Sequence, residues 1–219
     1  MFKYKLSIIA SGLIIVALGF GIYLWENGNS VQATQTVAKK LSVPTEIKVK
    51  NQKFRANVVN KNTISYKPLN SEVTTAEYKE VDTHSTKMAN NLYKSLQMPT
   101  RYNGPTVKLS DGTKAIEQGA MGHIYVQWME KNWIITAVSS SDIASSKQEI
   151  IKQADKVQRD IQDSKLTKQP VNQGSAIVYA NEQKQPINRI GWQNKQQVGQ
   201  ASGQNGLTIG KIVKDGLQN

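Results

Sequence analysis

The stretch "HIYVQWMEKNWIITAV", residues 123–138, constrains the fold more than any other part of the chain. Its two arms alternate apolar and polar side chains about a polar centre, the period-2 signature of a β-hairpin. A turn centred on Glu130 and Lys131 sets Trp128 opposite Trp133, Val126 opposite Ile135 and Ile124 opposite Ala137. Opposed residues of antiparallel strands point to the same face, so one face becomes wholly apolar. Exposed aromatics on a sheet can stack on sugars or bases, but this company assigns Trp128 and Trp133 to packing.

A related phrase, "GWQNKQQVGQ", occupies residues 191–200. Aligning Trp192 with Trp128 puts Lys195 on Lys131, Val198 on Ile134 and Ala201 on Ala137, so Trp192 joins the structural aromatics. Near the start, "TEIKVK" and "FRANVV" alternate like strands, Asn60–Asn62 supplies turn residues and "TISYKPL" resumes the pattern. "TVKLSDGTKAIE" carries an Asp111-Gly112 turn between strand-like runs. A helix is expected after each hairpin. In the first, Met88, Leu92 and Leu96 form a stripe; in the second, Ser141 or Asp142 is the cap and Ile143, Ile150, Ala154, Val157 and Ile161 the stripe. The hairpin-then-helix order recurs about Lys61, Lys131 and Lys195, which predicts an α+β fold of ββα-like units, an antiparallel sheet with helices on one face.

Leu6–Trp25 is a run of twenty uncharged residues behind the basic tip "MFKYK". At 1.5 Å per residue such a helix spans roughly 30 Å, the thickness of a hydrocarbon core. Lys3 and Lys5 keep the amino terminus inside, and Tyr23 and Trp25 suit the outer headgroup layer. The reading is a single-pass anchor over 1–25, a juxtamembrane linker over 26–44 and an extracytoplasmic α+β domain over 45–219. The alternative is secretion after cleavage near Ala33, against which stand the length of the apolar run and its distance from that site. The chain holds no cysteine, which removes disulfides, thiolate metal sites, a cysteine nucleophile and a lipidated cysteine.

Catalytic signals are sparse. His84 and His123 are the two histidines, and neither sits in a metal-ligand spacing. Serine elbows, phosphate-binding glycine loops and recognisable acid/base carboxylate pairs are missing from the sequence, so no cofactor is expected. Charge carries more information. Lys and Arg total 28 against 16 Asp and Glu, a net of +12, which favours anionic polymers or lipid surfaces. Lys48, Lys50, Lys53 and Arg55 concentrate that charge with only Glu46 nearby, whereas Lys147, Lys152, Lys156 and Arg159 share their segment with Glu149, Asp155 and Asp160.

The anchor, the "HIYVQWMEKNWIITAVSS" strand pair, the long helix after it, and the final "GSAIVYANEQKQPINRIGWQNKQQVGQ" with its carboxy-terminal helix together resemble a family of small extracytoplasmic proteins of Gram-positive bacteria. These are held by one amino-terminal helix and catalogued without an assigned function. The likeness runs over Thr45 to Leu217 and implies exposure at the cell surface without catalytic residues. Gln197 departs from the pattern where a second tryptophan would stand, which weakens a repeated ligand platform.

The resulting expectation is a non-catalytic, membrane-anchored cell-surface protein that contacts envelope components or a partner protein. One alternative is a basic binder of anionic polymer, of the teichoic type or nucleic acid, with nucleic acid the less favoured. The other is an extracellular hydrolase built on His84 or His123.

Overall fold

The structure, a computed structural model, describes residues 29–41, 43–142, 144–181 and 187–218. The proposed anchor, Leu6–Trp25, and Ile143 lie outside the described residues. Among the described residues eleven strands form one sheet. The chain first lays down β1 (Glu46–Val49), β2 (Gln52–Asn60), β3 (Thr63–Pro68) and β4 (Ala76–Asp82) as successive antiparallel neighbours. After helix α2 (Thr86–Ser95) it crosses to the far edge and returns inward through β5 (Thr106–Lys108), β6 (Lys114–Ala120), β7 (His123–Glu130) and β8 (Trp133–Ser140). Helix α3 (Lys147–Ser164) then carries it to β9 (Gln173–Tyr179), which pairs with β8 in parallel. A parallel neighbour needs such a crossover, whereas antiparallel strands need only a turn. β10 (Asn188–Asn194) and β11 (Gln197–Gly203) follow, β11 docks antiparallel on β4 to unite the two halves, and α4 (Gly206–Gly216) ends the described fold.

The register arranges one sheet face in rows of alternating large and small residues. Glu130, Trp133, Gly174, Trp192, Gly199 and Glu80 stand side by side across six strands. In the next row Trp128, Ile135, Ala176, Ile190, Ala201 and Tyr78 do the same. A Cβ built at Gly174 would overlap the Trp133 ring, and one at Gly199 would overlap the Trp192 ring. Each indole therefore lies flat on a neighbouring strand, in space that a glycine leaves open. Tyr78 completes the stack 5.3 Å from Trp192, ring centre to ring centre.

Helices α3 and α4 cover this face and pack on each other, Gly210 closing on Ser164. Ile150, Ala154, Val157 and Ile161 of α3 are buried as their spacing predicts. Burying each of the isoleucines or the valine is worth about 1.5–3 kcal/mol. The helix starts later than expected, because Ser146 rather than Ser141 or Asp142 caps it by accepting the Glu149 backbone N–H at 3.2 Å.

Four sequence expectations need correction. The β7–β8 turn is Lys131-Asn132, so Trp128 opposes Ile135, Val126 opposes Ala137 and Trp133 opposes Glu130. This slip of one residue in each strand keeps Trp128 and Trp133 on one face, because period-2 parity is preserved. In α2 the buried position is Ala89, while Met88 is 50% exposed. The helices do not all share one face: Leu96 and Met98, just after α2, pack on Gly191, whose side of β10 is opposite to that of Trp192. The fourth concerns the linker, since Asn29–Lys40 is a helix, α1, that packs on β2 and brings Ala38 and Leu41 into the core. Ala33, the alternative cleavage point, falls within this helix. The ββα order itself occurs at β7–β8–α3 and β10–β11–α4, while β4 intervenes between the first hairpin and α2.

Candidate functional site: the basic edge hairpin

β1 and β2 form a hairpin at one edge of the sheet. Alternation divides it cleanly. Ile47, Val49 and Phe54 turn inward and are buried, while Lys48, Lys53 and Arg55 turn to the other side and are exposed. Lys48 stands directly opposite Lys53, and Arg55 stands between Glu46 on β1 and Lys67 on β3. Three of the four cations read from the sequence therefore share a surface. Lys50 occupies the turn, with φ 54°.

Like charges opposed across a strand pair destabilise the pair. Arg55 is offset by Glu46 across the strand, and Lys67 by Glu72 at 3.0 Å. Neither Lys48 nor Lys53 makes an ion pair among the described residues. Both line a shallow concavity of about 360 Å³ with Asn51, Gln52, Pro68, Leu69 and Asn70. The polar side chains there are two ammonium groups and three carboxamides, so the site offers hydrogen-bond donors with uncompensated positive charge. A phosphate or carboxylate fits that chemistry, and the openness of the groove suits a segment of polymer better than an enclosed small molecule. Pro68, Leu69 and Asn70 come from the end of β3 and the loop after it, and no local signal in the hairpin's sequence points to them.

The other sequence candidates separate. Trp128, Trp133 and Trp192 are buried, as the hairpin pattern predicts. Trp133 Nε1 donates to the Gln169 carbonyl at 3.2 Å, whereas the indole N–H groups of Trp128 and Trp192 have no partner among the described residues. The basic group on α3 is spread out: Lys152 pairs with Glu149 at 3.4 Å and Lys156 donates to the Ala180 carbonyl at 2.7 Å. His84 follows β4, near the end of the sheet that holds the β10–β11 turn, and His123 opens β7 at the opposite end. Five strand spacings, about 24 Å, lie between β4 and β7, so the two histidines cannot share a ligand. His123 Nδ1 donates to the Met121 carbonyl at 3.0 Å. Among the described residues no cluster of three metal-ligating side chains occurs, and no helix is long and apolar enough to cross a membrane.

No family model, no curated protein and no solved structure matches this chain.

Proposed function

We propose that the protein is a non-catalytic, membrane-anchored surface protein that holds a phosphate-rich anionic envelope polymer at its β1–β2 hairpin. The observation that carries this reading is the Lys48–Lys53 cross-strand pair, two exposed cations with no ion pair among the described residues, lining a groove of amide donors. The net charge of +12 supplies a background attraction, and the hairpin supplies a place. The apolar run Leu6–Trp25 supplies the anchor, with the amino terminus inside and the folded domain outside.

The test uses the full-length chain in detergent micelles against purified phosphate-rich wall polymer, anionic vesicles and duplex DNA across a salt series. The expected result is saturable binding to the wall polymer that outlasts moderate salt. The triple substitution Lys48→Gln, Lys53→Gln and Arg55→Gln should lower the slope of log affinity against log salt by about 1 per cation removed. Unchanged binding in the triple variant, or equal weak binding to all three probes, refutes the reading. Tighter binding to DNA replaces it with a nucleic-acid function.

A further inference from the structure

The face opposite the tryptophans carries a second, chemically different surface. Gln118, Tyr125, Val138 and Tyr179 stand side by side across β6, β7, β8 and β9. Val138 is buried, while Tyr125 and Tyr179 on either side of it are half-buried. A strap of chain after α2 adds Tyr102, which meets Tyr125 edge to face with ring centres 6.3 Å apart and planes at 90°. The strap is fastened by side chains: Tyr102 N–H donates to Gln127 Oε1 at 2.7 Å, Gln127 Nε2 donates to the Thr100 carbonyl at 3.0 Å, and Ser175 Oγ donates to the Pro99 carbonyl at 3.2 Å. The third tyrosine is therefore set in place against the other two. The His123 ring extends the group, 6.2 Å from Tyr125.

We infer that this tyrosine platform binds an extended acidic glycan, its sugar rings lying on the Tyr102, Tyr125 and Tyr179 side chains and its carboxylates meeting Arg101 and Arg189. Aromatic groups left half-open side by side on a sheet mark an interaction surface, since packing alone would enclose them as it encloses the tryptophans. Tyr125 and Tyr179 sit two strand spacings apart, about 10 Å along the sheet, close to the repeat of an extended disaccharide. The phenols stay neutral, burial pushing Tyr102 and Tyr179 above the ordinary tyrosine range, so each can donate to or accept from a sugar hydroxyl. Charge complements the acid: Arg189 lies next to Tyr179, and Arg101, exposed, precedes Tyr102. Single-stranded nucleic acid would also stack here but needs a basic groove that tracks its backbone, and the Lys48–Lys53 pair lies at the distant β1–β2 edge. The inference uses none of the hairpin residues and stands or falls separately from the anionic-polymer reading.

The experiment is calorimetric titration of the full-length chain with a hexasaccharide of alternating N-acetylglucosamine and glucuronate, with the neutral N-acetylglucosamine hexamer and an oligothymidylate as controls. The acidic hexasaccharide should bind most tightly. Tyr125→Ala and Tyr179→Ala should each weaken it by about threefold to tenfold, while Tyr125→Phe and Tyr179→Phe, which keep the rings and the fold, should stay within a few-fold. Arg189→Gln should reduce the preference over the neutral hexamer and Arg101→Gln with Arg189→Gln should abolish it, while Lys48→Gln with Lys53→Gln should change nothing. No binding of either saccharide, equal affinity in folded tyrosine-to-alanine variants, or tighter binding of the oligothymidylate overturns the inference.

Discussion

The two faces of the sheet are held by different chemistry. On the tryptophan face, alternate strands present indoles and glycines, so Trp133 lies on Gly174 and Trp192 on Gly199, under α3 and α4. On the tyrosine face, buried Gln127 and Thr136 bond to each other at 3.1 Å, and Gln127 also ties the strap. The first arrangement depends on shape, because close-packed rings leave no room for an added methyl group. The second depends on satisfied polar groups and leaves its aromatics partly open. One sheet can thus keep a rigid core and an adaptable surface back to back.

The largest expected break is therefore steric and confined to the tryptophan face. Gly199→Ala puts a methyl group inside the Trp192 ring, which Tyr78 backs at 5.3 Å, and should cost about 3 kcal/mol in chemical denaturation, the upper range for overpacking. Combining it with Trp192→Leu should recover part of that loss, since the two positions share one space and their effects cannot add. The same methyl at Gly119 would meet the Ile124 side chain at an ordinary contact distance of 3.7 Å and should cost far less. Equal losses at Gly199 and Gly119 would show that the stacked rings have room to shift.

On the opposite face the corresponding break is polar. Gln127→Ala removes the partner of the Tyr102 N–H and of the Thr100 carbonyl. Stranding such groups costs about 1–3 kcal/mol, and amide exchange should rise first in residues 98–104. Uniform exchange across the sheet instead would mean that the strap unfolds only with the core.

These contrasts explain how much could be read in advance. Period-2 alternation puts Trp128 and Trp133 inward because that face is decided within one hairpin, and the likeness of "GWQNKQQVGQ" to it adds Trp192. Lys48, Lys53 and Arg55 are legible in the sequence only as a cluster of charge, and their common side comes from the β1–β2 register. Alternation does not fix the turn to the residue, because Lys131, a side chain with no preference for the left-handed region, sits there with φ 55°. Non-local pairings were harder. The β11–β4 junction, the glycine beds under the indoles and the strap over Gln127 each join segments far apart in sequence, and no single segment signals its partner. Tyr125 was legible as a residue facing away from Trp128, but its exposure depends on what the strap leaves uncovered.

Glu80 tests the tryptophan face without any added bulk. It ends the Trp–Gly row on β4, is 7% exposed, and accepts the Tyr78 hydroxyl at 2.6 Å. Burial, the dominant cause, together with the charge of Asp82, raises its pKa above the ordinary glutamate range, against the lowering effect of the Tyr78 hydrogen bond. The folded state therefore binds this proton more tightly than the unfolded chain does. Its contribution is fully present below the unfolded value, about 4.3, and is lost as pH rises through the higher folded value. Melting temperature should fall over that window in the wild type relative to Glu80→Gln, whose profile should lack this component. Parallel profiles would place Glu80 in water.

The smallest effect concerns the tips of the two related hairpins. Lys131 and Lys195 have φ of 55° and 54°, a region that asparagine tolerates better than lysine. Their turns also differ: Asn132 Nδ2 donates to the Val171 carbonyl at 2.8 Å, whereas the backbone N–H of Lys195 donates to Asn172 Oδ1. Both substitutions keep these bonds, because neither uses the lysine side chain. Lys131→Asn and Lys195→Asn should therefore each stabilise by a similar amount, below about 1 kcal/mol. A gain at one turn alone would show that the surrounding bonds, rather than the backbone angle, set the energy of these tips.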